Sequence, residues 1–161
     1  MTPTSDFLSL TREQCAAAAF QVPGSHLLEE VRRVCKAAEA TFWVVSPDGR
    51  LLLGALNVGR TPEAVLAAAV PVDSSLIGLV AAMQMATSNG ADASFNRSVD
   101  ERTGTSTQAM VAAPVHVAGR VCGVLSAINP ESDADHFSAG DLDALKLKAR
   151  ELGELAASIA G

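Results

Sequence analysis

Two segments of this chain read as strand–turn–strand, and they limit the folds open to it more than any other feature. In the first, Thr41-Phe42-Trp43-Val44-Val45 is a run of β-formers. Ser46-Pro47-Asp48-Gly49 then supplies a turn, with proline fixing φ and glycine accepting φ > 0. Arg50 to Val58 returns as the second arm. In the second segment, Ala109–Val117 and Val121–Ile128 flank Ala118-Gly119. Pro114 lies inside the first of these strands, and a residue without an N–H needs a sheet edge, a bulge or a strand start. Hairpin connections make antiparallel neighbours, so a mainly antiparallel sheet is predicted.

Helical patterns surround the hairpins. Thr11-Arg12-Glu13-Gln14 matches a capping box and starts a short helix through about Phe20. Val22-Pro23-Gly24 is expected to break it, after which Ser25 caps a helix over His26–Ala40 with Leu27, Val31, Val34 and Ala38 on one stripe and Leu28 and Cys35 beside it. Thr61-Pro62 opens a short helix to about Ala69. Pro71-Val72-Asp73 is extended, and Asp73 or Ser74 caps a third helix, about Ser75 to Ala86, with Leu76, Leu79, Val80 and Met83 inward. Thr87 to Gln108 reads as a long polar loop, which in a compact domain is usually functional or mobile. Ser138-Ala139-Gly140-Asp141 caps a final helix to about Ala160, whose Leu142, Leu145, Ala149, Leu152, Ala156 and Ile159 form a seam with alternating three- and four-residue spacing. The predicted class is α+β. A central antiparallel sheet carries the N- and C-terminal helices on one face and a loop/helix lid on the other. Residues 1–24 form a helical arm and 25–161 the domain.

Charge and cysteine content exclude several functions. Twelve basic and 18 acidic residues give a net charge of −6, the wrong sign for a nucleic-acid binder. Aromatic residues are 4% of the chain, too few for base-stacking platforms. The most apolar runs, 64–72 and 109–118, are about half the roughly 20 residues that span a bilayer. With no secretory signal visible at the N-terminus, a soluble, cytoplasmic protein with no membrane partner is expected. Cys15, Cys35 and Cys122 are an odd set without C-x-x-C spacing, so reduced, buried thiols are expected and neither a zinc site nor a disulfide framework.

Three segments resemble a GAF domain, a small-molecule-sensing and dimerising module of signalling proteins, over about Ser25 to Ile159. Pro71-Val72-Asp73-Ser74-Ser75-Leu76-Ile77-Gly78-Leu79-Val80 is similar to the family's P-x-x-x-S-L-x-G-x-V segment. Ala112-Ala113-Pro114-Val115 followed by Gly119-Arg120-Val121-Cys122-Gly123-Val124-Leu125 is similar to its x-x-P-[ILV]…G-x-x-x-G-V-L segment. Asn129-Pro130 with Phe137 and Asp141 forms the third. The family tolerates a proline at the Pro114 position. Cyclic-nucleotide-binding members carry N-K…F-x-x-x-D-E; here Pro130 and Leu142 replace the lysine and the glutamate, which removes the ionic part of that signature. Bilin-carrying members use a Cys followed by His, and Cys122 is followed by Gly123. Methionine-sulfoxide-reducing members place reactive cysteines in and beside the long loop, and Thr87–Gln108 contains none.

The resemblance implies a non-enzymatic regulatory or sensory module that has no output domain of its own and acts through a separate signalling protein, or is a piece of a longer one. Its ligand would sit between the sheet and the lid, lined by Leu76, Met83, Ser94, Phe95, Asn96, Thr107 and Met110. The ligand and any cofactor are unknown. Small residues on the last helix permit close helix approach, so a homodimer through Leu27, Val31, Leu145, Leu152, Ala156 and Ile159 is expected. Two alternatives stand beside this reading. One is an interaction scaffold with a closed pocket. The other is a cysteine-based redox enzyme or sensor using Cys122. No catalytic motif such as G-x-S-x-G or H-E-x-x-H occurs. His26, His116 and His136 fall in different segments, and Asp133-x-Asp135-His136 reads as a solvated turn rather than a metal site.

Overall fold

The computed structural model describes residues 7–59, 66, 68–89, 109–130 and 137–160. Helix α1 (Arg12–Ala16) carries the predicted capping box, with Thr11 and Gln14 bonded reciprocally. Ala17 is extended and leads into α2 (Ala18–Cys35). The expected break at Val22-Pro23-Gly24 does not occur, and α2 runs straight through it. Pro23 forfeits one bond near the start of the helix, but burial of Phe20 and Gly24 holds the chain helical. A Cβ on Gly24 would come within 2.7 Å of Leu56, so that glycine is a contact surface. Helix α2 thus crosses from the expected arm into the expected domain, and Leu10, Cys15 and Phe20 share one core with the sheet.

Helix α2 stops at Cys35 rather than Ala40, because Lys36 turns left-handed (φ 53°) and residues from Ala37 are strand. The buried stripe is Phe20, Gly24, Leu28, Val31 and Cys35. Val34, expected inward, is exposed, and Ala38 lies in the sheet.

Among the described residues six strands form one antiparallel sheet in the order β3-β2-β1-β6-β5-β4. They are β1 (Ala37–Val45), β2 (Leu51–Val58), β3 (Ala69–Pro71), β4 (Thr87–Asn89), β5 (Met110–Val117) and β6 (Arg120–Pro130). Both predicted hairpins are present. At the first turn Asp48 Oδ1 accepts from Ser46 Oγ (2.6 Å) and from the Arg50 amide (3.0 Å). At the second, Ala118 and Gly119 both take positive φ, 52° and 78°, as a two-residue hairpin loop requires.

Pro114 is accommodated as an edge residue. The segment read as pure loop begins with β4, which pairs only with Met110–Ala112. Beyond Ala112 the outer side of β5 carries no strand among the described residues. The Asn129 amide donates to the Ala109 carbonyl, so the odd-numbered residues at the start of β5 bond β6 and Pro114 points its missing donor outward.

Helix α3 (Leu76–Met83) is capped by Ser75, whose hydroxyl accepts from the Gly78 amide at 3.0 Å. Its phase differs from the expected one. Ile77, Val80 and Ala81 face the sheet, while Leu79 and Met83 face outward at 55% and 59% exposure. The sequence Leu-Ile-Gly-Leu-Val-Ala-Ala-Met is apolar all round, so periodicity cannot choose a face. Gly78 chooses it, because a Cβ there would overlap the Val72 carbonyl. Of the helix expected from Thr61-Pro62 to about Ala69, only Leu66, Ala68 and Ala69 are described: Leu66 is helical and Ala69 already begins β3.

Helix α4 (Ala139–Ala160) begins at the predicted cap, where Ser138 and Asp141 bond reciprocally at 2.8 and 3.1 Å. It packs with α2 on one face of the sheet, over Phe42, Val44, Val111, Val115 and Leu125. Helix α3 covers part of the other face, over Trp43, Val45, Ala112 and Val124. The molecule is the α+β sandwich the hairpins and terminal helices predict.

Candidate functional site

The α3 face of the sheet carries a buried polar row. Alternation along β1 sends Ala40, Phe42 and Val44 to the helical core, and Glu39, Thr41, Trp43 and Val45 to the other side. Register places Asn57 of β2 and Ser126 of β6 on either side of Thr41. Thr41 and Ser126 are buried, as is Glu39 one pair further along. Asn57 Nδ2 donates to Thr41 Oγ1 at 2.7 Å, and Trp43 Nε1 donates to Ser126 Oγ at 3.1 Å. Asn57 Oδ1 is buried and meets no hydrogen-bond partner among the described residues. A cluster of hydroxyl, amide and indole groups on a sheet face is costly to bury unless something satisfies it. Thr41, Trp43, Ser126 and the Asn57 amide nitrogen meet that cost within the row, which leaves Asn57 Oδ1 as the acceptor that lacks a donor among the described residues.

Of the expected lining residues, Met110 faces this side, packed against the Trp43–Val124 core. Leu76 is partly buried at the start of α3. Met83 is corrected: it points away from the sheet for the reason given above. Ser94, Phe95, Asn96 and Thr107 lie outside the described residues. The row itself escaped sequence reading, although Thr41 and Ser126 interrupt apolar strand runs. Only the register shows that they stand side by side.

The helical seam also needs correction. Val31, Leu145, Leu152 and Ala156 are fully buried against the chain's own sheet. They are consumed by the core and offer nothing to a second chain. Leu27 and Ile159 are partly buried beside them. The outer surface of the α2–α4 layer instead presents Val34 and Leu147, at 47% and 61% exposure. Across it runs an ion-pair group in which Lys148 Nζ meets Glu30 (2.5 Å) and Glu151 (3.1 Å). The hydrogen bond from Lys148 lowers the Glu30 carboxyl and is the main cause raising the lysine.

All three cysteines are free and buried. Burial pushes Cys15 and Cys35 up to about 11 and Cys122 up to about 12, the opposite of a reactive thiol. His116 is exposed on β5 with Nε2 3.3 Å from Gln84 Oε1. Among the described residues no group of three His, Cys, Asp or Glu side chains is placed to hold a metal. The Asp133–His136 turn lies outside them. No described helix is long and apolar enough to cross a membrane.

Comparison with known proteins agrees with this architecture. A family model, GAF domain, matches residues 25–154. The GAF domain of a phosphoenolpyruvate-protein phosphotransferase from Coxiella burnetii superposes with a TM-score of 0.74 at 17% identity, covering 91% of this chain and 88% of that one. The GAF-B domain of DevS from Mycobacterium smegmatis gives 0.66 at 21% identity, over 83% and 92%. The free methionine-R-sulfoxide reductase of Neisseria meningitidis, solved with its substrate, gives 0.69 at 16% identity, over 92% and 84%. At these identities the likeness is one of fold. No curated protein matches the chain at a significant level of sequence similarity.

Proposed function

The chain belongs to the GAF domain family, and we propose that it is a non-enzymatic regulatory or sensory member that binds a small molecule on the α3 face and signals through a dimer interface. The observation that carries this reading is the Asn57–Thr41–Ser126 row. It places buried polar groups, one of them without a partner among the described residues, on a sheet face that α3 only partly covers. The two faces share strands. Thr41 is flanked in β1 by Ala40 and Phe42, and the Phe42 ring lies 5.9 Å from Phe20 of α2. A ligand that shifts Thr41 therefore acts directly on the seat of α2. Dimerisation would use the outer α2–α4 surface around Val34 and Leu147, and the signal would pass to a separate signalling protein. Deeply buried, high-pKa thiols support the non-enzymatic reading over a cysteine-based one, and free cysteines suit the reducing cytoplasm.

The test is thermal unfolding against a panel of nucleotides, amino acids and small aromatic metabolites, with the parent and a Thr41→Val/Asn57→Leu variant. A ligand at about 100 times its Kd stabilises the native state by about 2.7 kcal/mol. At least one compound should raise the parent midpoint and leave the variant unmoved. A flat response across the panel favours the interaction scaffold, for which the outward Leu79, Met83 and Met85 are the supporting observation. Light scattering of the parent and Leu147→Glu tests the dimer: a dimeric parent and a monomeric variant are expected.

A further inference from the structure

A groove lies away from the polar row, at the edge of β5 that carries no further strand among the described residues. Helix α4 passes along this edge beyond the last β4 pair, and the two border a solvent-open groove of about 450 Å³ that reaches Gln84 and Ala86. That size falls in the range of small-molecule sites. Its floor is made by small residues of α4. Gly153 lies so near the His116 carbonyl that a Cβ would overlap it, which fixes the helix against the strand. Ala149 and Ala157, one turn to either side, leave the space between unfilled.

The rim of the groove is charged in a particular order. Lys146, Arg150 and Glu154 follow one another at successive turns of α4, two cations and then one carboxylate. Lys148 holds two carboxylates. Lys146 and Arg150 make no ion pair among the described residues. Opposite them Pro114 and the His116–Gln84 pair form the other wall.

We propose that this groove binds a small organic monocarboxylate, with its carboxylate between Lys146 and Arg150 and its hydrocarbon part over Ala149 and Gly153. Guanidinium and ammonium groups one turn apart suit a carboxylate. The methyl and methylene floor suits an apolar body. Glu154 repels a second negative charge, which selects against phosphates and dicarboxylates.

The experiment uses the full chain, isotope-labelled, with benzoate as probe, benzamide as its neutral counterpart and inorganic phosphate as an anion without an apolar part. Benzoate should shift the amide signals of His116, Val117 and the Arg150–Glu154 turn saturably. Benzamide and phosphate should bind about tenfold or more weakly, the loss expected when one charged or apolar half of the contact is missing. Lys146→Ala/Arg150→Ala should weaken benzoate, and Glu154→Gln should strengthen it. All three side chains are exposed, so these variants retain the fold. Ala157→Trp, also at an exposed position, should block the groove. Equal binding of phosphate and benzoate, indifference to the Lys146/Arg150 change, or no shift at about 10 mM, weaker than the millimolar end of the affinity scale, overturns the proposal.

Discussion

Thr41→Val separates what the polar row does for stability from what it does for binding. Valine keeps the shape of threonine, so no cavity forms. The change removes the oxygen that accepts from Asn57 Nδ2 at 2.7 Å. That amide is left with the Ala40 carbonyl at 3.4 Å, a contact near the limit of a hydrogen bond. Stranding a buried donor costs about 1–3 kcal/mol. For a chain of this length each kcal/mol moves the midpoint by about 2–4 °C, so a cost near 2 kcal/mol lowers it by about 4–8 °C. Adding Asn57→Leu removes the stranded amide together with the Oδ1 that meets no partner among the described residues. The double variant should recover to within about 0.5 kcal/mol of the parent, because replacing both partners by apolar groups is nearly neutral. The coupling between the two sites should then be at least about 1 kcal/mol. Urea unfolding followed by Trp43, the chain's single tryptophan and a neighbour of the row, measures all four corners of the cycle. The reasoning fails if Thr41→Val is neutral, or if the double variant loses the sum of the two single losses.

Three further outcomes are expected. Leu152→Ala should cost about 2–5 kcal/mol in denaturant unfolding, because the side chain is fully buried, whereas Leu147→Glu should leave stability within about 0.5 kcal/mol; similar losses at both positions would mean that α4 is seated differently. The native protein at pH 8 should resist a thiol reagent and release three equivalents in urea, since thiols raised to about 11–12 and buried hold almost no thiolate; rapid native labelling of Cys122 would refute it. Glu30 is held below its ordinary value by Lys148, so this pair contributes fully above the unfolded carboxylate value of about 4.3 and is lost as pH falls through the lower folded value. The stability gap between parent and Lys148→Ala, below about 1 kcal/mol for so exposed a pair, should therefore close between pH 7 and pH 3; an unchanged gap would show that the lysine acts through packing.

The sequence alone determined the elements whose signals are local. Turn chemistry at Ser46–Gly49 and Ala118-Gly119, the reciprocal caps at Thr11/Gln14 and Ser138/Asp141, and the α4 seam each depend on residues a few positions apart, and each stands where it was read. Three ordered segments were enough to point to the GAF family. What tertiary structure decided were matters of phase and partnership. Helix α2 runs through Pro23 because Phe20 and Gly24 gain burial that a local reading cannot weigh. The apolar stretch of α3 was assigned a face only by the approach of Gly78 to Val72. The α4 seam looked equally fit for a partner helix or a sheet, and the sheet took it. Ser126 lies far along the chain from the hairpin that carries Thr41 and Asn57, and the three become a candidate site only because strand register sets them shoulder to shoulder on one sheet face.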